Sequence, residues 1–275
     1  MAKLVGLNRA IELTRLVLQT GFIKETTPEG KKEVFPKSLC LLANAESGKT
    51  SIIEKFSNLP FVHYTNDISP KPFVDFIFPE IERGNIRFLA IPDILNCIEK
   101  NKTTRQRTIN LFKSLIEEGI DNLETFHIRY SPNKKVRCGL ITAITTDSYR
   151  DIKSEWIRNG FLSRVIPFSY SFQPITIEKI FQAINKQETE TDTIPTKIYR
   201  TECEVSIPYE LAQRLNAIAT RIGNSIGVYG LRMQKNLMAL CKANALLNKR
   251  KEVTEEDLNN ILQISAWINY NFNPI

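Results

Sequence analysis

The sequence predicts an α/β fold: a mostly parallel sheet with helices on both faces, followed by a small all-helical domain. Three observations predict it. Apolar runs around residues 39–43, 87–91 and 139–144 are continuous rather than alternating, as expected of parallel strands buried on both faces. Segments with helical apolar spacing alternate with those runs, which is the order a parallel sheet needs. From Pro208 onward the pattern is wholly helical. The 275 residues suit one large domain or a core with an appendage, and 42% hydrophobic content is enough for a true core.

The elements follow in order. Residues 5–21 carry Ile11, Leu13, Leu16, Val17 and Leu18 at helical spacing and stop at Gly21. Residues 24–37 are charged and punctuated by Pro28, Gly30 and Pro36, which predicts a loop or hairpin. A strand over 38–43 leads to a helix over about 48–57, with Ile52, Ile53 and Phe56 on its apolar side. Phe61-Val62-His63-Tyr64-Thr65 reads as a second strand ending near Asn66 and Asp67, and residues 72–83 as a helix. Arg87 to Asp93 is an apolar strand tipped by a carboxylate, with Pro92 at its end because proline cannot donate to a ladder. A helix over 103–118 stops at Gly119. A hairpin is expected next, with strands 126–130 and 136–139 around Ser131-Pro132-Asn133-Lys134. Strands over 139–146 and 165–170 complete the core. The polar stretch 185–197 reads as linker, giving a core over 1–172, a linker over 173–206 and a helical lid over 207–275. In the last lid helix, Thr254 and Asp257 are spaced to cap its start.

Chemistry concentrates on the loop after the first core strand. Ala43-Asn44-Ala45-Glu46-Ser47-Gly48-Lys49-Thr50-Ser51 follows a buried strand and opens a helix. A P-loop has Gly-x4-Gly-Lys-[Ser/Thr]: its amides curl around phosphates, its lysine reaches the β/γ oxygens, and its hydroxyl holds Mg²⁺. Gly48, Lys49 and Thr50 match, and Ala43 replaces the first glycine, which a negative φ there would allow. The helix start adds positive potential to the same place. Asp93 ends a core strand, where a Mg²⁺ ligand is wanted. The expected architecture is therefore a three-layer P-loop NTPase core with a C-terminal helical lid, and the expected ligands are ATP and Mg²⁺.

The bulk chemistry narrows the alternatives. The net charge is +7, with a pI near 9.1, which favours a polyanionic partner such as DNA. Cys40, Cys97, Cys138, Cys203 and Cys241 are scattered without metal-ligand spacing, which points to reduced core thiols. His63 and His127 are the only histidines and have no ligand-spaced partner, arguing against zinc chemistry or a Ser-His-Asp triad. No apolar stretch is long enough to cross a bilayer, and Met1-Ala2-Lys3-Leu4-Val5-Gly6 lacks the apolar run of a signal peptide. A cytoplasmic location without membrane contact is expected.

Taken in order, these motifs resemble the AAA+ ATPases, in particular the branch with minichromosome-maintenance helicases and MoxR-like ATPases. The resemblance spans nearly the whole chain. It implies that Gly48, Lys49 and Thr50 form the Walker A segment and that Asp93 is the Walker B metal acid. Thr145 or Thr146 falls at the polar sensor-1 position, near the γ-phosphate. Gly160-Phe161-Leu162-Ser163-Arg164-Val165 is similar to the family's Leu-Ser-Arg-Phe motif, so Arg164 would reach a neighbouring subunit's site. Tyr229-Gly230-Leu231-Arg232 resembles the sensor-2 segment, so Arg232 would sense the γ-phosphate from the lid. The resemblance also implies a homo-oligomer, a hexameric ring among the options. The hairpin cations Arg129, Lys134, Lys135 and Arg137 are either a pore or DNA-facing loop or a plain solvated turn.

One departure limits the mechanism. The family usually has Asp-Glu at this strand end, and the glutamate is the general base; here Ile94 follows Asp93. Asp67, at the end of the neighbouring strand, is the first substitute base, ahead of Glu46, Glu117 and Glu118. Two readings follow. One is an oligomeric ATPase motor or switch acting on nucleic acid. The other is a nucleotide-binding adaptor with little or no hydrolysis, which recruits or remodels a protein partner. A kinase-like phosphotransferase on the same loop is a third, against which the helical lid and the arginine motif argue.

Overall fold

Strand β3 (Leu39–Ala43) lies inside the sheet, and all five of its residues are buried, which is why its sequence has no polar face. The computed structural model around it describes residues 5–27, 29–68, 70–98, 102–125, 128–188 and 196–271. The N-terminal residues 1–4, Pro28, Phe126 and His127 of the expected hairpin, and residues 189–195 of the expected linker lie outside the described residues.

Helix α1 (Asn8–Thr20) precedes the hairpin of β1 (Ile23–Thr26) and β2 (Lys32–Val34). After β3 come α2 (Lys49–Glu54), β4 (Val62–Tyr64), and a short α3 (Pro70–Pro72) that runs through the π-helical turn Phe73–Ile77 into α4 (Phe78–Arg83). Next are β5 (Phe88–Ile91), α5 (Leu95–Ile98), and α6 (Lys102–Lys113), which ends in the π-helical turn Ser114–Glu118. The hairpin β6 (Leu123–Thr125) and β7 (Ile128–Tyr130) leads to β8 (Gly139–Thr145), α7 (Thr146–Arg158), β9 (Ile166–Ser169) and α8 (Pro174–Asn185). After β10 (Cys203–Glu204) the chain is helical: α9 (Tyr209–Arg214), α10 (Asn216–Asn224), α11 (Leu231–Leu247) and α12 (Glu255–Ile264).

The main sheet is all parallel, with strand order β4-β5-β8-β3-β9. The chain leaves β3 for the far edge, steps back inward through β5 and β8, then passes β3 to reach β9. The outgoing connections of the adjacent strands β3 and β8 therefore run in opposite directions. In an open parallel sheet the crevice at the carboxyl ends of strands beside such a reversal is where ligands bind. Beneath it, fully buried Trp156 packs edge-on against Phe161, with centroids 4.8 Å apart, and holds α7 to the turn before β9. No helix among the described residues is long and apolar enough to cross a membrane.

Three expectations are corrected. The antiparallel hairpin pairs Leu123 with Tyr130 and Glu124 with Arg129, rather than 126–130 with 136–139. Val136 instead bridges Ile120, and the Pro132-Asn133 turn is held by Glu82, which accepts from the Asn133 amide at 2.7 Å. The expected linker over 173–206 contains α8 and β10, and β10 extends the β1–β2 hairpin into a three-stranded sheet. The helix expected over 48–57 is helical only from Lys49 to Glu54.

The helical domain is fastened to the N-terminus. α1 packs along α11, and its Arg9 donates to Gln263 Oε1 at 2.9 Å, while Asn260 donates to Glu12 Oε1 at 2.8 Å. The start of α12 rests on Asp257, which is fully buried and accepts from the Thr254 amide at 2.8 Å, from Asn244 Nδ2 at 2.7 Å and from Arg250. Removing one partner of such a pair leaves the others unsatisfied. Because Arg250 is partly solvated, Asp257→Ala is expected to cost about 2–3 kcal/mol, read as a loss of denaturation free energy in urea.

Candidate phosphate-binding site

The loop after β3 turns on two residues with positive φ, Glu46 at 58° and Gly48 at 82°. Glycine takes this conformation without a steric penalty, and Gly48 sits directly before α2. Ala43 is a strand residue without positive φ, so the position where a glycine was expected does not need one. Lys49 folds back over the loop, donating to the carbonyls of Ala43 at 2.9 Å and Asn44 at 2.5 Å and to Ser47 Oγ at 3.1 Å. Its ammonium is half-buried, and burial pulls its pKa below the ordinary lysine value, opposed by the nearby charge of Asp93. A cation held at a desolvation cost, above a loop with left-handed turns, suits an incoming anion. Thr50 and Asn44 face solvent, as do Ala45 and Glu46, while Ser47 is buried and Ser51 half-buried.

The loop is pinned from both neighbouring strands. Thr146, buried at the start of α7 just past β8, donates to Asn44 Oδ1 at 2.8 Å. Thr145, paired in register with Ala43, spends its hydroxyl on α7, where it donates to Ser148 Oγ at 2.8 Å. Of the two threonines only Thr146 bonds to the loop. From the other side, Tyr170 donates to the Ser47 carbonyl at 3.1 Å, and burial raises its pKa well above the phenol range. Tyr170 was not a site residue on sequence grounds; an aromatic just past a strand end was the only signal available.

Asp93 is half-buried just past β5, and its Oδ1 accepts from the Leu95 amide at 3.0 Å. Its charge opposes the fall that burial imposes on the Lys49 pKa and adds to the burial that pushes the Cys40 thiol in β3 up to about 12, so the three lie within electrostatic reach. Ile94 is fully buried, and its amide donates to the Ala143 carbonyl at 3.1 Å. The position where the resemblance expects a base is thus filled by core packing. Asp67 is exposed beyond β4, three strands from β3, or about 14 Å at the ladder spacing of roughly 4.8 Å. Its carboxylate accepts from the Ile68 amide at 2.7 Å. Among the described residues no cluster of three or more histidine, cysteine or acidic groups could hold a metal ion, so a cation here would need phosphate oxygens beside Thr50 and Asp93.

The two arginines lie elsewhere. Arg164 sits just before β9, whose first residue pairs with Leu39 at the start of β3. It is therefore at the amino end of the sheet, about 13 Å or more from the loop at roughly 3.3 Å per residue. Its Nε lies 2.8 Å from Glu117 Oε2, its guanidinium also pairs with Glu118, and it donates to the Gly160 carbonyl at 2.7 Å. Arg232, at the start of α11, pairs with the other oxygen of Glu117. Arg232, expected to sense the γ-phosphate from the lid, lies beside Arg164 within its own chain, because α11 runs along α1. Gly230 fixes this entry, since a Cβ there would fall 2.2 Å from the Ala219 carbonyl oxygen. Glu117 and Glu118, considered as bases, are occupied with these arginines at the far end.

The hairpin cations are mostly paired within the chain. Arg129 pairs with Glu124, and Lys135 with Asp121 at 3.6 Å. Arg137 is turned inward over the Phe35 ring, 4.2 Å from its centroid, and donates to the Glu117 and Glu118 carbonyls. Lys134 is exposed. No protein-family model matches the sequence, and no curated protein does either.

Proposed function

We propose that this chain is a magnesium-dependent, ATP-binding AAA+-type ATPase that works as a cytoplasmic homo-oligomer on nucleic acid. The observation that supports it best is the cluster at the carboxyl end of the sheet: Lys49 over a Gly48 turn, within electrostatic reach of Asp93, on a loop bonded to Thr146. When bound, Mg²⁺-ATP would supply the polarised γ-phosphoryl group. Loop amides from Ala45 to Thr50 would cradle its phosphates, Lys49 would exchange its carbonyl partners for phosphate oxygens, and Thr50 and Asp93 would hold the cation. Thr146 would set Asn44 against the γ end.

The placement of Arg164 and Arg232 at the opposite end of the sheet suits action on a neighbouring copy. A head-to-tail assembly joins two different faces of one chain and closes into a ring when the rotation permits. The net charge of +7 favours a polyanionic partner. The test is ATP turnover with and without single-stranded and duplex DNA, alongside assembly mass with an ATP analogue. Hydrolysis unchanged by Lys49→Ala would reject the reading.

A second reading has its own observation. Ile94 is fully buried where a base belongs, and Asp67 is three strands from the loop. Under this reading nucleotide holds the chain in one state for a protein partner, and turnover is slow. Multiple turnovers at ordinary enzyme rates, about 1 s⁻¹ or faster, would exclude it.

A further inference from the structure

A cleft of about 930 Å³ opens at the amino end of the sheet, between the strand starts and the flank of α11. It is separate from the loop that carries Lys49. Its floor includes Phe35 to Ser38 ahead of β3, and its wall includes Arg232, Lys235, Asn236 and Lys242 of α11. Eight basic side chains line it against three acidic ones.

The sign of the charge is less telling than how it is left. Arg164 and Arg232 share Glu117, and Arg137 pairs with Glu33 at 3.3 Å. Among the described residues, Lys37, Lys235, Lys242 and Lys251 make no ion pair, yet all four line this one cleft. Lys235 and Lys242 are seven apart on α11, so they share one face of that helix. Lys37 faces them from the strand side: burial lowers its pKa first, and Lys242 and Lys235 lower it further, against Glu25 and Glu117. Like charges converging in a partly desolvated cleft are unfavourable unless an anion enters, and a low-dielectric cleft of one sign concentrates such anions.

We propose that this cleft is a second anion site, built for a phosphate-bearing ligand carrying several charges. A single carboxylate would leave most of the lining charge uncompensated, whereas a polyphosphate or a short run of phosphodiesters matches it. The volume lies at the upper end of the roughly 300–1,000 Å³ of small-molecule sites, enough for a ligand of nucleotide size. The inference does not rest on ATP binding by the loop, and its test is run with that loop disabled.

The experiment uses the full chain carrying Lys49→Ala. Inorganic tripolyphosphate is titrated by calorimetry, and a fluorescein-labelled oligothymidine by anisotropy, at several salt concentrations. Two further pairs of changes are compared on this background: Lys235→Glu with Lys242→Glu inside the cleft, and Lys71→Glu with Lys179→Glu outside it. Both pairs alter net charge equally. Lys235→Gln with Lys242→Gln serves if the glutamates disturb folding, which thermal melting reports. The expected result is binding of at least one probe, weakened about tenfold or more by the cleft pair and less than about twofold by the outside pair. Tripolyphosphate binding alone identifies a small polyphosphate as the ligand source; oligothymidine binding lost with the cleft pair identifies a nucleic-acid backbone. No binding of either probe, or equal weakening by both pairs, overturns the site.

Discussion

Replacing Lys49 by alanine is expected to lower ATP affinity by about 10²–10³-fold and to remove measurable hydrolysis. The ammonium is already half-buried and donates to two loop carbonyls and to Ser47 Oγ. Two charge-assisted bonds to phosphate, at about 1.5–3 kcal/mol each, account for a loss of roughly 3–4 kcal/mol after the carbonyl contacts given up are counted. Calorimetric titration of ATP with Mg²⁺ measures the first effect and phosphate release the second. The fold should survive, because α2 buries Ile52 and Ile53 rather than Lys49. A melting temperature within a few degrees of the parent chain would confirm that affinity, and not folding, was lost.

Arg164→Ala should divide binding from turnover. The guanidinium lies at the amino end of the sheet, so the same chain's nucleotide would not feel its loss. ATP affinity should change by less than about threefold, while turnover of the assembled protein falls by about 10³-fold, the scale of a missing arginine finger. Glu117 and Glu118 are then left without one of their cations, so some stability is lost as well. The decisive comparison is mixing. Arg164→Ala and Lys49→Ala chains, each inactive alone, should recover part of the activity together, because an intact loop then meets an intact arginine across an interface. Recovery absent at all ratios, with both variants folded and assembled, would count against action in trans.

What the sequence made legible was local. Gly48, Lys49 and Thr50 stood out because a buried strand, a left-handed turn and a helix start all leave marks within twelve residues. Asp93 was visible as a carboxylate ending a continuous apolar run. The position of Arg232 was not legible, because it depends on α11 lying along α1, more than 200 residues away. Tyr170 reaches Ser47 across 123 positions of chain, and no local pattern records that bond. The hairpin register was misread because Pro132-Asn133 has turn chemistry, yet Asn133 is tied to Glu82 and the strands close earlier. α8 was read as linker because the polar stretch that follows it, 185–197, set the reading, and its own apolar residues Ile177, Phe181 and Ile184 are exposed rather than packed into the core.

The central claim is that one loop holds a triphosphate whose cation is shared by Thr50 and Asp93. The most direct test is a crystal structure of the full chain with a non-hydrolysable ATP analogue and Mn²⁺ in place of Mg²⁺, the metal located by its anomalous signal. The account predicts the phosphates against the amides around Gly48, Lys49 on their outer oxygens, and Mn²⁺ on the Thr50 hydroxyl with Asp93 bound directly or through one water. An analogue seated elsewhere, or a metal remote from both side chains, would contradict it.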